Sequence, residues 1–344
     1  MLTGLKVLLQ SRYGLDLGTI LAEVGLDPGH GAGPAGQSVA SGESISLNAY
    51  SRMLEIAAER SADECLGLHF AHAFPRGGTR ALGYLMLNAP DLGTCLDCLC
   101  RYVRLQADAV EFELAESEGI ARLVIAFGAP FVAPRKQLVE FVCALIVLRV
   151  TTEFGDGWLP LSTDFEYRAP SCSAGYAAVF GPNIRFNRPQ TVITMRSDVL
   201  KRQSQRADER LFALIKDIAD SELAHLDRSQ DIAWLVSDHI VRTLQTRAVT
   251  LDSAAAAVGR TPRQLQNDLK RSGTTFEEQM GAARKALAER YLRDTDFTMT
   301  EIALLLGFSE LSAFTRAARA WLGMPPSQWR QQARGAGPGE GGTA

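Results

Sequence analysis

The sequence lacks an apolar run long enough to span a membrane. Its longest such run, "FVCALIVL" at 141–148, is far shorter than the roughly 20 residues of a transmembrane helix. The N-terminal residues "MLTGLKVLLQSRYGLD" also lack a basic segment that leads into a long apolar core and a small-residue cleavage site, which are the features of a secretion signal. We therefore expect a cytoplasmic protein that does not bind membranes.

Motifs of known catalytic sites are missing as well. The five histidines are scattered, and the sequence contains no H-E-x-x-H, no G-x-S-x-G and no phosphate-binding loop. Those patterns would place a metal, a nucleophile or a phosphate cradle. We therefore expect no enzymatic activity, no cofactor and no metal site.

Three of the six cysteines stand close together in "CLDCLC", as Cys95, Cys98 and Cys100. Cys95-x-x-Cys98 has the spacing of a redox pair or of half a metal site, but no second pair follows it. The surrounding "LGTCLDCLCRYV" has helical periodicity, and a cytosolic cysteine is often a small buried hydrophobe. We interpret the three as packing residues and keep a cysteine-based redox-sensing regulator as an alternative.

The net charge of −3 is unevenly distributed along the 344 residues. Length alone indicates two or three domains. Residues 240–334 contain 14 Lys and Arg against 9 Asp and Glu, a net charge of +5, whereas residues 1–239 contain 22 against 29, a net charge of −7. A basic C-terminal part permits nucleic-acid binding by that end of the chain.

Residues 1–200 mix helix and strand patterns, which predicts an α+β domain. Alternation of apolar and polar residues in "AVEFELAESEGIARLVIAF", 109–127, predicts a β-hairpin with Gly119 in its loop. "STDFEYRAP" and "NIRFNRPQTVITM" have the pattern of further strands. Apolar spacing predicts helices over 47–60, 91–107 and 135–154. A Gly/Pro/Ser-rich loop covers 25–44.

Residues 201–229 are expected to form a helical connector. In "RADERLFALIKDIADSELAHL" the apolar residues recur at helical spacing and make one stripe. The stripe, which we expect to support a homodimer, comprises Leu211, Leu214, Ile215 and Ile218. A protein-interaction module that uses this helix without binding DNA is a further alternative. We place the next domain at 230–334 and expect a disordered tail at 335–344.

The stretch "TEIALLLGFSELSAFTRAARAWLG", 300–323, has the pattern of two short helices that meet at Gly307. Thr298-x-x-Glu301 is a capping box that starts the first helix. Gly307 favours the left-handed conformation that ends it, and Ser309 can cap the second helix. The second helix directs an apolar stripe inward and leaves these side chains outward: Ser312, Thr315, Arg316 and Arg319.

The same pattern occurs earlier, in "TLDSAAAAVGRTPRQLQNDLKRSGTTF", 250–276. A short helix ends at Gly259, and Thr261 followed by Pro262 starts a second one. That second helix directs Leu265 and Leu269 inward and leaves these side chains outward: Arg263, Gln266, Asn267 and Lys270. The segment 277–294 is helical in pattern, and we expect it to form a linker helix that separates the two units.

Two helices that meet at a sharp corner are a way to reach the major groove of DNA. The first helix braces against the backbone, and the second presents its outward side chains to base edges. Ser, Thr, Arg, Asn and Gln supply the donors and acceptors that such readout requires. Two matched helix-turn-helix units in a basic, all-α segment therefore predict a sequence-specific DNA-binding domain, with double-stranded DNA as its partner.

Residues 232–330 resemble the DNA-binding domain of AraC-type bacterial transcription regulators. The pattern E-I-A-x-x-x-G-F-S-x-x-S-x-F-x-R-A-x-x-x-W-x-G-x-x-P-x-x-x-R, which starts at Glu301, carries the resemblance. It implies two helix-turn-helix units joined by a linker helix, with reading helices in successive major-groove segments. By position, the implied reading residues are Arg263, Gln266, Asn267, Leu311, Ser312, Thr315 and Arg316. The family usually has Arg where Asn267 stands and a basic residue where Ala320 stands.

Residues 1–200 resemble the arabinose-binding-type arm of an AraC-type subgroup that includes regulators of amino-acid utilisation. "ALGYLMLNAPDLGTCLDCLCRYVRLQADAVEFEL" and "FGPNIRFNRPQTVITM" carry this likeness. It implies a small-molecule effector, with RNA polymerase as a further candidate partner. A few polar groups in an apolar pocket can fix such an effector, and our candidates are Arg101, Arg104, Glu140 and Tyr167. The subgroup commonly has His where Tyr167 stands.

Overall fold

The computed structural model describes most of the chain and divides it into two compact units. The described residues are 2–26, 45–75, 78–107, 109–128, 131, 133–155, 158–229, 232–244 and 249–335. The first unit comprises 1–126, 133–165 and 169–229, and the second comprises 127–132, 166–168 and 230–344. Among the described residues, no helix is both long and apolar enough to cross a bilayer.

The first unit contains helices that come before, between and after its strands along the chain. They are α1 (Leu2–Leu8), α2 (Leu17–Glu23), α3 (Leu47–Ser61), α4 (Leu66–Ala73), α5 (Arg80–Asn88), α6 (Leu92–Tyr102), α7 (Lys136–Phe154), α8 (Ser173–Phe180) and α9 (Glu209–Ser229). A π-helical turn at Leu9–Tyr13 follows α1, and 3-10 turns lie at Val103–Leu105 and Ser197–Lys201.

One five-stranded sheet runs through this part of the chain, in the order β1-β2-β5-β3-β4. The strands are β1 (Val110–Ser117), β2 (Ile120–Phe127), β3 (Ser162–Asp164), β4 (Ile184–Arg185) and β5 (Thr191–Arg196). β5 pairs antiparallel with β2 and with β3, and β3 pairs parallel with β4. Every second residue of β2 is buried, which is the two-residue period of a strand with one face in a core.

Helix α7 is the central helix of the first unit. Its apolar residues cover all faces, and it is buried along most of its length, as expected of a helix without a solvent stripe. α4 crosses it closely at Gly67, where a Cβ atom would overlap the backbone oxygen of Gln137. Only glycine permits this approach. The crossing also places Glu140 of α7 in the interior, with none of its side chain exposed.

The second unit is helical after residue 230 and has its own core. Its helices are α10 (Ile232–Leu244), α11 (Leu251–Ala257), α12 (Pro262–Arg271), α13 (Phe276–Asp294), α14 (Met299–Leu305), α15 (Leu311–Leu322) and α16 (Pro326–Gly335). Each of them contributes to one hydrophobic cluster, whose fully buried members include Leu265, Leu269, Tyr291, Ile302 and Phe314. Burial of such side chains is the main favourable term in folding.

The predicted fold class is confirmed: an α+β part with a five-stranded sheet precedes an all-α part. The hairpin is also confirmed, with Gly119 at φ 77°. Ser309 was wrong as a cap, because Glu310 occupies the N-cap position of α15 in an extended conformation and makes no side-chain capping bond. The strand predicted in "STDFEYRAP" ends at Asp164. The loop at 25–44 and the tail at 335–344 lie almost entirely outside the described residues.

Candidate nucleic-acid interface

The first helix-turn-helix unit consists of α11 and α12 joined at Gly259. Thr250 caps α11 and Thr261 caps α12, each through a reciprocal pair of hydrogen bonds with the residue three positions later. Pro262 occupies the first turn of α12, where its missing N–H costs nothing. Gly259 has φ 63°, in the left-handed region that favours glycine. Gly259, Thr261 and Pro262 all lie at the corner itself or within one helical turn of it.

Helix α12 separates a buried face from a polar face. Leu265 and Leu269 are fully buried, because they lie four residues apart on one side of the helix. The predicted DNA-contacting residues of this helix are all exposed: Arg263, Gln266, Asn267 and Lys270. The side-chain oxygen of Gln264 already accepts hydrogen bonds from Thr261 in the capping box.

The cations around α12 fall into two groups. Arg260 and Arg271 form ion pairs with Asp268, at 3.2 and 2.8 Å. Arg263 and Lys270 have no ion pair within the described part of the chain, so their charges face solvent. The helix therefore offers two available cations beside two neutralised ones.

The second helix-turn-helix unit repeats this construction in α14 and α15. Thr298 and Glu301 form the predicted capping box, and Gly307 has φ 71° at the corner. Phe314 and Ala318 are fully buried, so the inward stripe of α15 is formed as expected. The predicted DNA-contacting residues of this helix are all exposed: Leu311, Ser312, Thr315, Arg316 and Arg319.

The outward residues of α15 differ in the chemistry they can offer to DNA. Thr315 donates its hydroxyl proton to the backbone oxygen of Leu311 at 2.8 Å, so it can accept a further hydrogen bond. Ser312 donates to Glu310 at 3.1 Å. Leu311 is 41% exposed, and an exposed aliphatic group on a reading helix can contact the methyl group of thymine. Arg316 can donate two parallel hydrogen bonds to guanine or grip a phosphate.

Three arginines outside the outward faces of α12 and α15 brace the second helix-turn-helix unit, and we did not predict them from the sequence. Arg284 of α13 donates to the backbone oxygen of Leu306 at 2.9 Å and to that of Gly307 at 3.3 Å. Arg330 donates to the backbone oxygen of Phe297 at 2.6 Å. Arg334 donates to the backbone oxygen of residue 295. Their targets are orphan carbonyls at helix ends and loops, which no sequence motif announces.

The four predicted effector residues lie in different surroundings. Glu140 is buried on α7, and burial raises its pKa to about 8. It accepts a hydrogen bond from the Tyr176 hydroxyl of α8. Its Oε2 has no hydrogen-bond partner among the described residues. Arg101 is exposed and pairs with Asp220 of α9 at 2.8 Å.

Arg104 and Tyr167 complete the predicted effector set. Arg104 lies in the 3-10 turn after α6. Tyr167 is buried in the short segment 166–168, which clusters with the second unit. The effector role of the four residues stays a prediction. Tyr176 was not predicted, because it lies 36 residues from Glu140 in sequence.

The clustered cysteines are packed rather than activated. Cys95 and Cys98 are buried and Cys100 is half-buried on α6. Burial raises the pKa of Cys95, and it raises the pKa of Cys98 and of Cys100 to about 11. They therefore stay thiols near neutral pH, whereas the thiolate is the reactive form. No group of three His, Cys, Asp or Glu in the described residues could hold a metal ion.

Helix α9 presents one apolar row to solvent. Leu211, Leu214 and Ile218 are 39%, 60% and 49% exposed, whereas Ile215 is half-buried on the side that faces the unit.

The opposite side of α9 is attached to α6 through Asp220. Asp220 accepts hydrogen bonds from the Tyr102 hydroxyl and from Lys216, both at 2.7 Å. These bonds, that of Lys216 above all, hold its pKa at about 2.

The sequence matches two known families. Residues 14–204 match the arabinose-binding domain of AraC transcription regulators, an N-terminal domain, and residues 254–332 match a helix-turn-helix domain. The first match alone covers more than half of the chain. The protein belongs to the AraC family, and it is a DNA-binding transcription regulator with an N-terminal effector domain.

Several characterised regulators are similar to this chain. The ornithine utilization regulator of Pseudomonas aeruginosa is 29% identical over 272 residues, which are 78% of this chain and 79% of that protein. The regulator VirS of Mycobacterium tuberculosis is 26% identical over 294 residues, which are 83% and 84% of the two chains. The crystal structure of the transcriptional regulator CdpR from Pseudomonas aeruginosa covers 92% of this chain and 96% of its own at 17% identity, with a TM-score of 0.43.

Proposed function

We propose that α12 and α15 read the base edges of two successive major-groove segments of an operator. The observation that carries this proposal is the repeat itself: each helix follows a glycine corner, buries an apolar stripe and exposes a row of hydrogen-bonding side chains. The proposed base-reading residues are Arg263, Gln266, Asn267, Leu311, Ser312, Thr315 and Arg316. Lys270 and Arg319 lie farther along each helix, and we assign them to phosphates.

We further propose that the protein acts as a homodimer through α9. The exposed row Leu211, Leu214 and Ile218 is the feature that supports it, since a second copy would remove these side chains from water. A dimer would also compensate for the small number of cations on α12 and α15. Two linked binding domains raise the effective concentration of the second one at its half-site, so that weak single contacts sum to tight binding.

The effector site is proposed to lie at Glu140 and Tyr176. Glu140 Oε2 is a buried polar atom without a partner among the described residues, and such an atom costs free energy until it is paired. An effector with a hydrogen-bonding group would supply the partner. The similarity to an ornithine utilization regulator makes L-ornithine the first probe.

The remaining assignments follow from this role. We propose a cytoplasmic, non-enzymatic regulator that meets RNA polymerase at the promoters it controls.

Genome-wide footprinting of the full-length protein tests the DNA proposal. We expect discrete protected sites that share a sequence with two half-sites. The double variant Arg263→Ala/Arg316→Ala should lose these sites, whereas Arg271→Ala should keep them, because the charge of Arg271 is already paired with Asp268. Uniform, sequence-independent occupancy by the wild-type protein would contradict the proposal.

Thermal melting with L-ornithine tests the effector proposal separately. A ligand that binds only the folded state raises the melting temperature with concentration. We expect this rise for the wild-type protein and its loss in Glu140→Gln, with Glu111→Gln on β1 as a control that keeps it. If L-ornithine and related amino acids leave the melting temperatures of the wild-type protein and of Glu140→Gln unchanged, the effector belongs to another chemical class. If a stabilising effector is found and Glu140→Gln still responds fully to it, the assignment of Glu140 is wrong.

A further inference from the structure

Cys65 and Cys172 of the first unit are joined by a disulfide that spans 107 residues of sequence. Their Cα atoms are 6.6 Å apart, within the range that a disulfide bridges without backbone movement. We infer that this pair is a reversible thiol–disulfide site, which exchanges with low-molecular-weight thiols and disulfides of the glutathione type. The inference rests on the proposed function in two respects, the cytoplasmic location and, for the link to the effector, the proposed effector site at Tyr176.

The position of each cysteine favours exchange. Cys65 directly precedes α4 and Cys172 directly precedes α8, each at the residue that caps the helix. A helix N-terminus carries partial positive charge, which favours the thiolate, the form that attacks a disulfide. Cys172 is half-buried and Cys65 is 2% exposed. Cys172 is therefore the sulfur that a small thiol reaches first, and Cys65 is the one that resolves the intermediate.

The pair differs from the other cysteines in its surroundings. Cys95, Cys98, Cys100 and Cys143 form no disulfide. Burial holds the pKa of Cys98 and of Cys100 at about 11, and neither lies at a helix N-terminus. A redox response of this protein therefore belongs to Cys65 and Cys172, not to the "CLDCLC" cluster.

The redox conditions of the compartment indicate which kind of disulfide this is. A transcription regulator acts where DNA is, and there glutathione and thioredoxin keep most thiols reduced. Disulfides that form in such a compartment are usually transient and redox-sensing.

Oxidation proceeds in two exchange steps with glutathione disulfide as the oxidant. The Cys172 thiolate attacks one sulfur, so that a Cys172–glutathione bond forms, the glutathione S–S bond breaks and one glutathione thiolate leaves. The Cys65 thiolate then attacks the Cys172 sulfur and releases the second glutathione. Two electrons pass from the protein to glutathione disulfide, and the two cysteine protons reach the two leaving thiolates through water. Reduction is the reverse.

The disulfide anchors the start of α8, which carries the proposed effector residue Tyr176. The same segment is held by Ser171, whose backbone N–H donates to Glu64 at 3.0 Å. Opening the disulfide leaves this hydrogen bond as a local anchor and gives the first turn of α8 more freedom. The redox state of the pair thereby acts on the same helix as the effector.

A glutathione titration tests the inference. Full-length protein is equilibrated at a series of ratios of reduced to oxidised glutathione, quenched with acid, alkylated and analysed by mass spectrometry. We expect a peptide pair linked through Cys65 and Cys172 that disappears in one transition as glutathione is reduced. The transition should follow the square of the reduced glutathione concentration, because two molecules are consumed per disulfide.

Variants separate this pair from the remaining cysteines. Cys65→Ser and Cys172→Ser should lose the linked peptide, whereas Cys100→Ser should titrate like the wild-type protein. Absence of the linked peptide at every ratio, or a linked peptide that survives the most reducing buffer, would overturn the inference.

Hydrogen exchange tests the anchoring of α8 on the wild-type protein itself. Amide protons of 173–180 should exchange several-fold faster in the reduced form than in the oxidised form. Cys172→Ser should exchange at the reduced rate in both buffers. Equal exchange in the two forms of the wild-type protein would contradict the anchoring. None of these readouts uses DNA or an effector, so their failure would leave the DNA-binding proposal intact, and the reverse also holds.

Discussion

The guanidinium of Arg284 on α13 donates a hydrogen bond to the backbone oxygen of Gly307, 3.3 Å away, at the corner between α14 and α15. The same group donates to Leu306 and lies 4.6 Å from the centroid of the Phe308 ring. Burial lowers the pKa of Arg284. Helix α13 thus holds the backbone that leads to α15, in addition to separating the two helix-turn-helix units.

Replacement of Arg284 by Ala should destabilise the second helix-turn-helix unit and weaken specific DNA binding. It leaves the carbonyl groups of Leu306 and Gly307 without this donor. The bond to Leu306 is partly buried, and an unsatisfied buried group costs about 1–3 kcal/mol. Arg284→Lys should rescue only in part, because one ammonium lacks the fork that reaches both oxygens. Urea unfolding measures the effect. The control is Lys285→Ala on the same helix, where loss of the exposed pair with Glu289 should cost under about 0.5 kcal/mol. Equal midpoints for Arg284→Ala and Lys285→Ala would contradict this role.

A fragment of residues 230–334 should fold by itself. The second unit has one continuous core, whose buried residues come from α10 through α15. Circular dichroism should show a helical spectrum and a cooperative thermal transition. Phe314→Ala should lower the free energy of unfolding by about 3–5 kcal/mol, and the melting temperature should fall accordingly. A random-coil spectrum of the wild-type fragment would show that the domain boundary is wrong.

Local patterns were enough to predict the corners of the DNA-binding part. Capping boxes, Pro262 and the glycines act within a few residues, so the sequence indicated where α12 and α14 begin and where α11 and α14 end. The cap at Ser309 was predicted one residue too early. Sequence patterns locate a helix end only to within one or two residues, whereas a cap depends on the backbone geometry of one particular residue. Helix α16, which begins at Pro326, was not predicted from the sequence.

Long-range relationships could not be predicted in the same way. Arg284 is 22 residues from Leu306 in sequence, and the spacing of the two carries no pattern. The disulfide of Cys65 and Cys172 joins positions 107 residues apart, and six cysteines permit many pairings. Sequence spacing instead drew attention to Cys95 and Cys98, which lie on one helix and pack into the interior.

Disruption of the apolar row on α9 should convert a dimer into a monomer. The double change Leu214→Glu/Ile218→Glu places two charges in the proposed subunit interface, and burial of unpaired charges is costly. Light scattering should give twice the chain mass for the wild-type protein and the single mass for this variant. Val7→Glu, an exposed apolar residue on α1 that is 62% accessible, is the control and should stay dimeric. A wild-type protein that is monomeric with and without DNA would remove the dimer.

Stability should fall with rising pH through the titration of Glu140. Its pKa is raised by burial from 4.5 in the unfolded chain to about 8, against the opposing effects of Lys136 and Tyr176. Between these values the folded state binds the extra proton, so the free energy of unfolding decreases as pH rises and levels off above about pH 8. The slope from this group is at most about 1.4 kcal/mol per pH unit.

Glu140→Gln isolates this contribution. The amide stays neutral, so the variant should gain stability relative to the wild-type protein as pH rises from 5 to 9, with no further gain beyond. Urea unfolding at each pH gives the difference between the two proteins, in which the titration of all other groups cancels to first order. A difference that is constant over this interval would show that Glu140 is ionised in the folded protein.

The outward residues of α12 and α15 are proposed to read bases. The most direct measurement titrates the wild-type protein, Arg263→Ala and Arg316→Ala against an operator and its single-base variants at several salt concentrations, with Arg271→Ala as the control. If each arginine pairs with a guanine, its loss should cost about 1–3 kcal/mol and relax the preference at one operator position. A phosphate contact would instead weaken binding to all sequences alike and reduce the salt slope by about 1. We expect the first result for both arginines. If both variants bind the operator as tightly and as selectively as the wild-type protein, the two glycine corners do not build DNA readers, and the account is contradicted.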